Sequence, residues 1–181
     1  MIATLLSLLL GAFTWTLLEY VIHRFLGHDP RTRPNPFATE HVRHHAEGDY
    51  FAPSWKKALA TLAFVAIIGP ALWLLPATDL SVAYLAGLLT MYVSYEVLHR
   101  RLHTHAGIGR YGRWAREHHF AHHYGDPRFN HGVTSPIWDV VFGTRKNVER
   151  IRIPSRFAMP WLTDPVTGGV RDEFSARFVL F

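Results

Sequence analysis

Ten of the thirteen histidines in this sequence fall into four short clusters. His23 and His28 come first, then His41, His44 and His45, then His99 and His103, then His119, His122 and His123. Neutral imidazole is a common nitrogen ligand for zinc, iron and copper. Helix positions i, i+3 and i+4 share one face, so each of the last three clusters aims two or three rings in one direction. The first pair is spaced slightly beyond one turn, which suits a helix end running into a loop at Gly27 and the Asp29-Pro30 step. Left uncoordinated, so many rings would crowd protonatable groups together at a cost. Ten nitrogens exceed what one ion accepts and suit two ions with about five each. A metal that only pins helices together would use the same residues.

The elements that carry these clusters are strongly apolar. Ile2 to Ile22 is apolar apart from Glu19, a few hydroxyls and Gly11; Ala58 to Leu75 has no charge; Leu80 to Leu98 has only Glu96. Helices of about 18–21 residues, at ~1.5 Å per residue, cross a hydrocarbon layer of roughly 30 Å. The first run has no basic start and no clear cleavage site, so it reads as a retained anchor and not as a secretory signal. Basic residues flank one side only: Arg24, Arg31, Arg33, Arg43, Lys56 and Lys57 between the first two runs, then Arg100, Arg101, Arg110, Arg113 and Arg116 after the third. The turn Pro76-Ala77-Thr78-Asp79 has no basic residue. The positive-inside bias therefore places every histidine on the cytoplasmic side. The fold expected is all-α: an integral-membrane, multi-pass helical bundle of three to four spans with a cytosolic, histidine-rich helical cap.

Composition narrows the function. Apolar residues make up 49% of the 181 and charged ones 18%, with a formal charge of +5 and no cysteine. The missing cysteines exclude disulfides, thiolate zinc fingers, iron–sulfur clusters and a cysteine nucleophile. A nucleic-acid binder would not need so much hydrocarbon, so no nucleic-acid partner is expected.

In order, the boxes read His-x4-His, His-x2-His-His, His-x3-His and His-x2-His-His. After the fourth comes Asn130-His131-Gly132-Val133-Thr134-Ser135-Pro136-Ile137-Trp138-Asp139-Val140-Val141-Phe142-Gly143-Thr144, and Glu19-Tyr20 precedes the first. This pattern, over about residues 15–145, resembles the fatty acid hydroxylase and sterol desaturase superfamily of integral-membrane histidine-box oxygenases. The resemblance implies metal ligation by His23, His28, His41, His44, His45, His99, His103, His119, His122 and His123. It further implies a non-haem di-iron centre (two Fe ions, with Zn possible in purified protein) that hydroxylates or desaturates an unactivated C–H bond of a lipid substrate. His105, His118 and His131 lie outside the pattern.

Glu19, Glu40, Glu96, Asp126 and Asp139 are candidates to accept the non-ligating ring N–H of a ligand, and His131 is a candidate neighbour of the centre or an extra ligand. No Gly-x-Gly-x-x-Gly follows a strand and no haem-binding domain is evident, so a separate electron donor is expected, a cytochrome or a ferredoxin with its reductase. Residues 1–145 form the expected hydroxylase domain, and 146–181 a tail packing on the cytosolic cap. The substrate class expected is fatty acyl, sphingolipid or sterol-like. The alternatives are a carotenoid hydroxylase of the same superfamily and a non-catalytic zinc-binding membrane protein.

Overall fold

The computed structural model describes residues 1–73 and 78–181, without the side chains of 72 and 73; the turn expected at Pro76-Ala77 lies outside the described residues. Among the described residues six α-helices precede a small mixed tail. They are α1 (Ile2–Val21), α2 (Pro36–Glu47), α3 (Ser54–Trp73), α4 (Thr78–Thr104), α5 (Gly109–Tyr124) and the short α6 (Ile137–Val141). In the tail, β1 (Ile151–Ile153) pairs in parallel with β2 (Phe178–Leu180), and a single turn, α7 (Asp172–Ser175), leads into β2.

The helix ends follow local chemistry. Asn35 caps α2 by accepting from the Ala38 N–H, with Pro36 at the first helical position, where its missing donor costs nothing. The loop expected after His23 is instead a continuation of α1: Ile22–His28 forms one wide π-turn, ended by extended backbone at Asp29. A π-turn bonds i to i+5, so it brings residues five apart onto one face, and that is the spacing of His23 and His28.

The segments Ile2–His28 and Thr78–Thr104 are long and apolar enough to cross a membrane. They run in the same direction. Ser7 donates to the Leu80 carbonyl near one end, and the Trp15 ring sits 4.8 Å from Tyr92 and 5.7 Å from Tyr95 further along. Contact is backbone to backbone: a Cβ on Gly11 would lie 1.9 Å from the Tyr84 carbonyl oxygen, and one on Gly87 1.9 Å from that of Leu8. Close approach through small residues is how helices associate where lipid removes the hydrophobic drive. Parallel packing brings the far ends of α1 and α4, with His23, His99 and His103, to the same level. An ion pair from Lys57, near the start of α3, to Glu96 places α3 alongside in the opposite direction.

The tail forms its own apolar core against α5. Phe120 and Ala121 pack with Ile151, Ile153, Met159, Trp161, Leu162 and Phe178. Trp161 also donates from its indole N–H to the His103 carbonyl at 2.8 Å, tying the tail to the end of α4.

The α1–α4 contact makes a direct prediction. Gly87→Ala should force the two backbones apart and cost about 1–3 kcal/mol, the usual range for overpacking. A fall in the thermal unfolding midpoint in detergent checks this, and an unchanged midpoint would count against the contact.

Candidate metal centre

All ten clustered histidines converge at the end of the α1–α4 pair, and they divide into two groups. His23, His28, His41, His45 and His122 form one; His44, His99, His103, His119 and His123 form the other. Within each group the candidate nitrogens lie within 4.8 Å of one another. The helical repeat explains the division. The π-turn gives both of its rings to the first group, and α4 gives both of its rings, one turn apart, to the second. On α2, His41 and His45 at i and i+4 point to the first group, while His44 at i+3 turns to the second. On α5 the assignment is reversed: His119 and His123 join the second group and His122 the first. Adjacent residues on a helix diverge by roughly 100°, so a His-His pair is a fork between two centres.

The spacing of the rings fits a bound cation better than hydrogen bonds. His41 Nε2 lies 3.0 Å from His23 Nε2, 2.8 Å from His28 Nε2 and 3.1 Å from His45 Nε2. A neutral ring nitrogen either carries one proton or offers one lone pair, so three such contacts cannot all be hydrogen bonds. In the same way His28 Nε2 is also 2.9 Å from His122 Nε2, while in the second group His44–His99 and His103–His119 meet at 3.0 and 2.9 Å. Nitrogens about 2.1 Å from one ion and at right angles around it would be separated by about 3.0 Å. The residues therefore fit two metal ions, with five imidazoles for each.

A family model described as fatty acid hydroxylase matches residues 8–144. The chain belongs to the fatty acid hydroxylase family. It is 36% identical over 150 residues to a ceramide very long chain fatty acid hydroxylase of Schizosaccharomyces pombe, covering 75% of this chain and 41% of that protein. It is 32% identical over 145 residues to a dihydroceramide fatty acyl 2-hydroxylase of Arabidopsis thaliana, covering 77% of this chain and 60% of the relative. The solved hydroxylase domain of full-length scs7p superimposes with a TM-score of 0.56 at 32% identity, over 79% of this chain and 57% of that one. The chain thus spans less than two thirds of each of these relatives.

In this fatty acid hydroxylase chain, backbone carbonyls orient the rings. The Nδ1 of His23 meets the His131 carbonyl at 2.5 Å, that of His44 the Tyr50 carbonyl at 2.6 Å, and that of His122 the Phe129 carbonyl at 2.7 Å. Each contact assigns the proton to Nδ1 and leaves the Nε2 lone pair facing the group centre. Carbonyls carry no side-chain signature, so sequence reasoning could not have found them. A trace exists at Asn130, whose φ of 59° is a conformation that asparagine tolerates better than most residues. It turns the chain immediately before the His131 carbonyl.

The candidate carboxylates lie one step further out. Glu19 accepts from the backbone N–H groups of Val133 and Thr134 and from the Thr134 hydroxyl at 2.5 Å. Asp139, fully buried, accepts from the N–H groups of His131 and Gly132, the Thr144 hydroxyl at 2.7 Å and the His118 ring at 3.2 Å. Together they hold the 131–134 segment whose carbonyl meets His23. Glu96 pairs with Lys57, and Asp126 with Arg128 and Lys146. Among the described residues none of these four carboxylates bonds to a ring of the ten. The His131 ring stands beside the first group, with centroids 5.3 Å from His122 and 5.5 Å from His23, and its Nε2 faces the Arg128 carbonyl.

Burial governs the charge of the cap histidines. It pushes His44 down to about 4, His131 to about 3 and His45 to about 2, and holds His41, His119, His122 and His123 well below the ordinary imidazole value. Neighbouring rings add to the effect at His41, His45, His119, His122 and His123. These groups are therefore neutral at pH 7 and ready to ligate. An unfolded chain takes up protons near pH 6.5 while the native rings do not, so the unfolded state binds more protons below that pH. The metal-free protein should accordingly lose stability as pH falls from about 6.5 toward 4. Unfolding midpoints of chelator-stripped protein across that window check this, and a flat profile would refute it.

Proposed function

We propose that this chain is a membrane-bound, oxygen-dependent hydroxylase that places a hydroxyl on a lipid acyl chain, with two non-haem irons held by the ten histidines. One observation carries the reading: a cavity of about 700 Å³ between α1, α2, α3 and α4 is lined by rings of both groups, His23 and His41 from one and His44 and His99 from the other. Beyond those rings its walls are hydrocarbon and aromatic, including Leu18, Leu59, Phe64 and Leu89. Leu89 lies ten residues before His99 on α4, roughly 15 Å along the axis. An acyl chain fits this shape, and α1, α3 and α4 as three membrane spans would bring it there from the bilayer. The basic flanks support a cytoplasmic position for the histidine end, within reach of a soluble electron donor. Residues 146–181 act as a brace for that end.

The polar residues of the cavity favour one part of the lipid. Thr39, Glu40, Lys56 and Lys57 line the same end as the histidines. Glu40 accepts from the Tyr50 hydroxyl and from Lys56, both at 2.5 Å, so the rim is polar but internally neutralised. A lipid with its head group at this rim presents the carbons next to the head group, not its terminal methyl, to the rings. That agrees with the 2-hydroxylation named for the Arabidopsis relative and makes an amide-linked fatty acyl lipid the substrate class.

When bound, the irons would supply reductive activation of dioxygen; overall, a C–H bond, O2, two electrons and two protons become C–OH and water. The protein's part is positional. The carbonyls of His131, Tyr50 and Phe129 keep the lone pairs of His23, His44 and His122 aimed inward, and the apolar wall fixes the chain, which by filling the cavity would itself displace water from the reacting carbon.

Expression in a host lacking hydroxylated lipids, under labelled dioxygen, should yield one labelled oxygen at carbon 2 of the acyl chain by mass spectrometry. His45→Ala and His122→Ala should each abolish product and lower metal content while the protein still inserts. Product from either variant at the wild-type rate would refute the assignment. Leu89→Trp should reduce hydroxylation of long acyl chains more than of short ones with metal content unchanged, and an unaltered chain-length profile would move the tail elsewhere.

A further inference from the structure

We propose that α6 and the following Phe142 are a second, non-spanning membrane contact, sunk into the hydrocarbon edge of the bilayer with lipid acyl chains covering their outer side. The inference rests on α1 being a membrane span. It concerns a segment that carries none of the ten rings and does not line the cavity.

The depth comes from what α6 touches. Trp138 lies 5.4 Å from Phe13, ring to ring, and its indole N–H donates to Thr16 Oγ1 at 2.9 Å; Phe142 stacks on Tyr20 at 5.3 Å. With Ile2 at one edge of the hydrocarbon, Thr16 is fourteen residues on, about 21 Å along a layer of roughly 30 Å. That leaves α6 about 9 Å inside the opposite edge, within the roughly 5–10 Å at which interfacial helices settle.

Composition and exposure agree with that depth. Ile137, Val140, Val141 and Phe142 are 40%, 54%, 61% and 50% exposed, and they continue the exposed apolar side of α1 at Leu9, Leu10 and Phe13. The one charge between Ser135 and Thr144 is Asp139, which is turned fully inward. Arg145 and Lys146 follow at once, in place to reach head groups.

Backbone in hydrocarbon must satisfy its own polar groups. Here it does. The N–H groups of Val140, Phe142, Gly143, Thr144 and Arg145 donate to the carbonyls of Pro136, Trp138, Val140, Asp139 and Asp139 in turn. A segment built for water would not turn four large apolar side chains outward.

The chain has no cysteine, so single labels can be placed without background. Val141→Cys, Leu9→Cys and Val166→Cys would each be spin-labelled in metal-loaded protein and reconstituted in phosphatidylcholine–phosphatidylglycerol nanodiscs. Collision with oxygen and with a water-soluble nickel chelate would then be compared, after checking that metal content matches the unlabelled protein. The label at 141 should favour oxygen over nickel, as at Leu9, and opposite to Val166, which is 90% exposed on the tail. A label at 141 that behaves like the one at 166, while 9 remains in lipid, overturns the inference and leaves the span and the hydroxylase reading intact. Nickel access at 9 as well removes the span itself. Spin–spin broadening at 141, absent on dilution with unlabelled protein, would assign this face to a second copy of the chain and overturn the lipid contact.

Discussion

Neutral imidazole nitrogens meeting other imidazole nitrogens at hydrogen-bond range is the constraint on which the rest of the structure depends. Such an arrangement is poor on its own terms: desolvation keeps the rings unprotonated, and His41 alone has more close nitrogens around Nε2 than it has protons or lone pairs to share. A cation at the centre of each group would offset that cost at once. Much of the surrounding fold serves to hold the rings in this otherwise unfavourable state. The parallel glycine contact between α1 and α4 brings their ends level, the π-turn rotates His28 onto the face of His23, and the tail grips the His103 carbonyl through Trp161.

A second layer works through backbone rather than side chains. Glu19 and Asp139 gather the N–H groups of residues 131 to 134 into one buried knot, which leaves the His131 carbonyl turned toward His23. Burying two carboxylates beside an apolar bundle is expensive unless each is fully engaged in hydrogen bonds. Here each has several donors, and Asp139, although burial favours its neutral acid, is held below the usual carboxylate range by the bonds from His118, Gly132, Thr144 and His131.

Much of this was legible in the sequence, and the reasons are physical. Side-chain type and helical spacing report on which rings can face the same way, so the gathering of the ten clustered rings was readable, and their number alone suggested about five for each of two ions. Which ring goes to which set was not, because that depends on the rotation of α2 and α5 relative to the bundle. The His-x4-His spacing was misread as a helix running out into a loop because a π-turn has no compositional mark. The partners of the ring N–H groups were sought among carboxylates because only side chains leave a trace in sequence; carbonyls do that work, and Glu96 and Asp126 are occupied by Lys57 and by Arg128 and Lys146. The parallel course of α1 and α4 agrees with the charge bias, which puts the ends of both runs on one side, but the Gly11 and Gly87 contact that permits it leaves no mark in the spacing of the apolar residues.

The forks on α2 and α5 have a consequence for how the two centres behave. Each of these rigid rods carries rings of both groups, crossed in opposite senses, so neither group can expand or contract without moving a helix that the other group shares. Any tilt of α5 relative to α2 reshapes both groups of rings in one stroke. The two groups of rings are therefore a single mechanical unit, and a displacement within one is transmitted as strain to its twin.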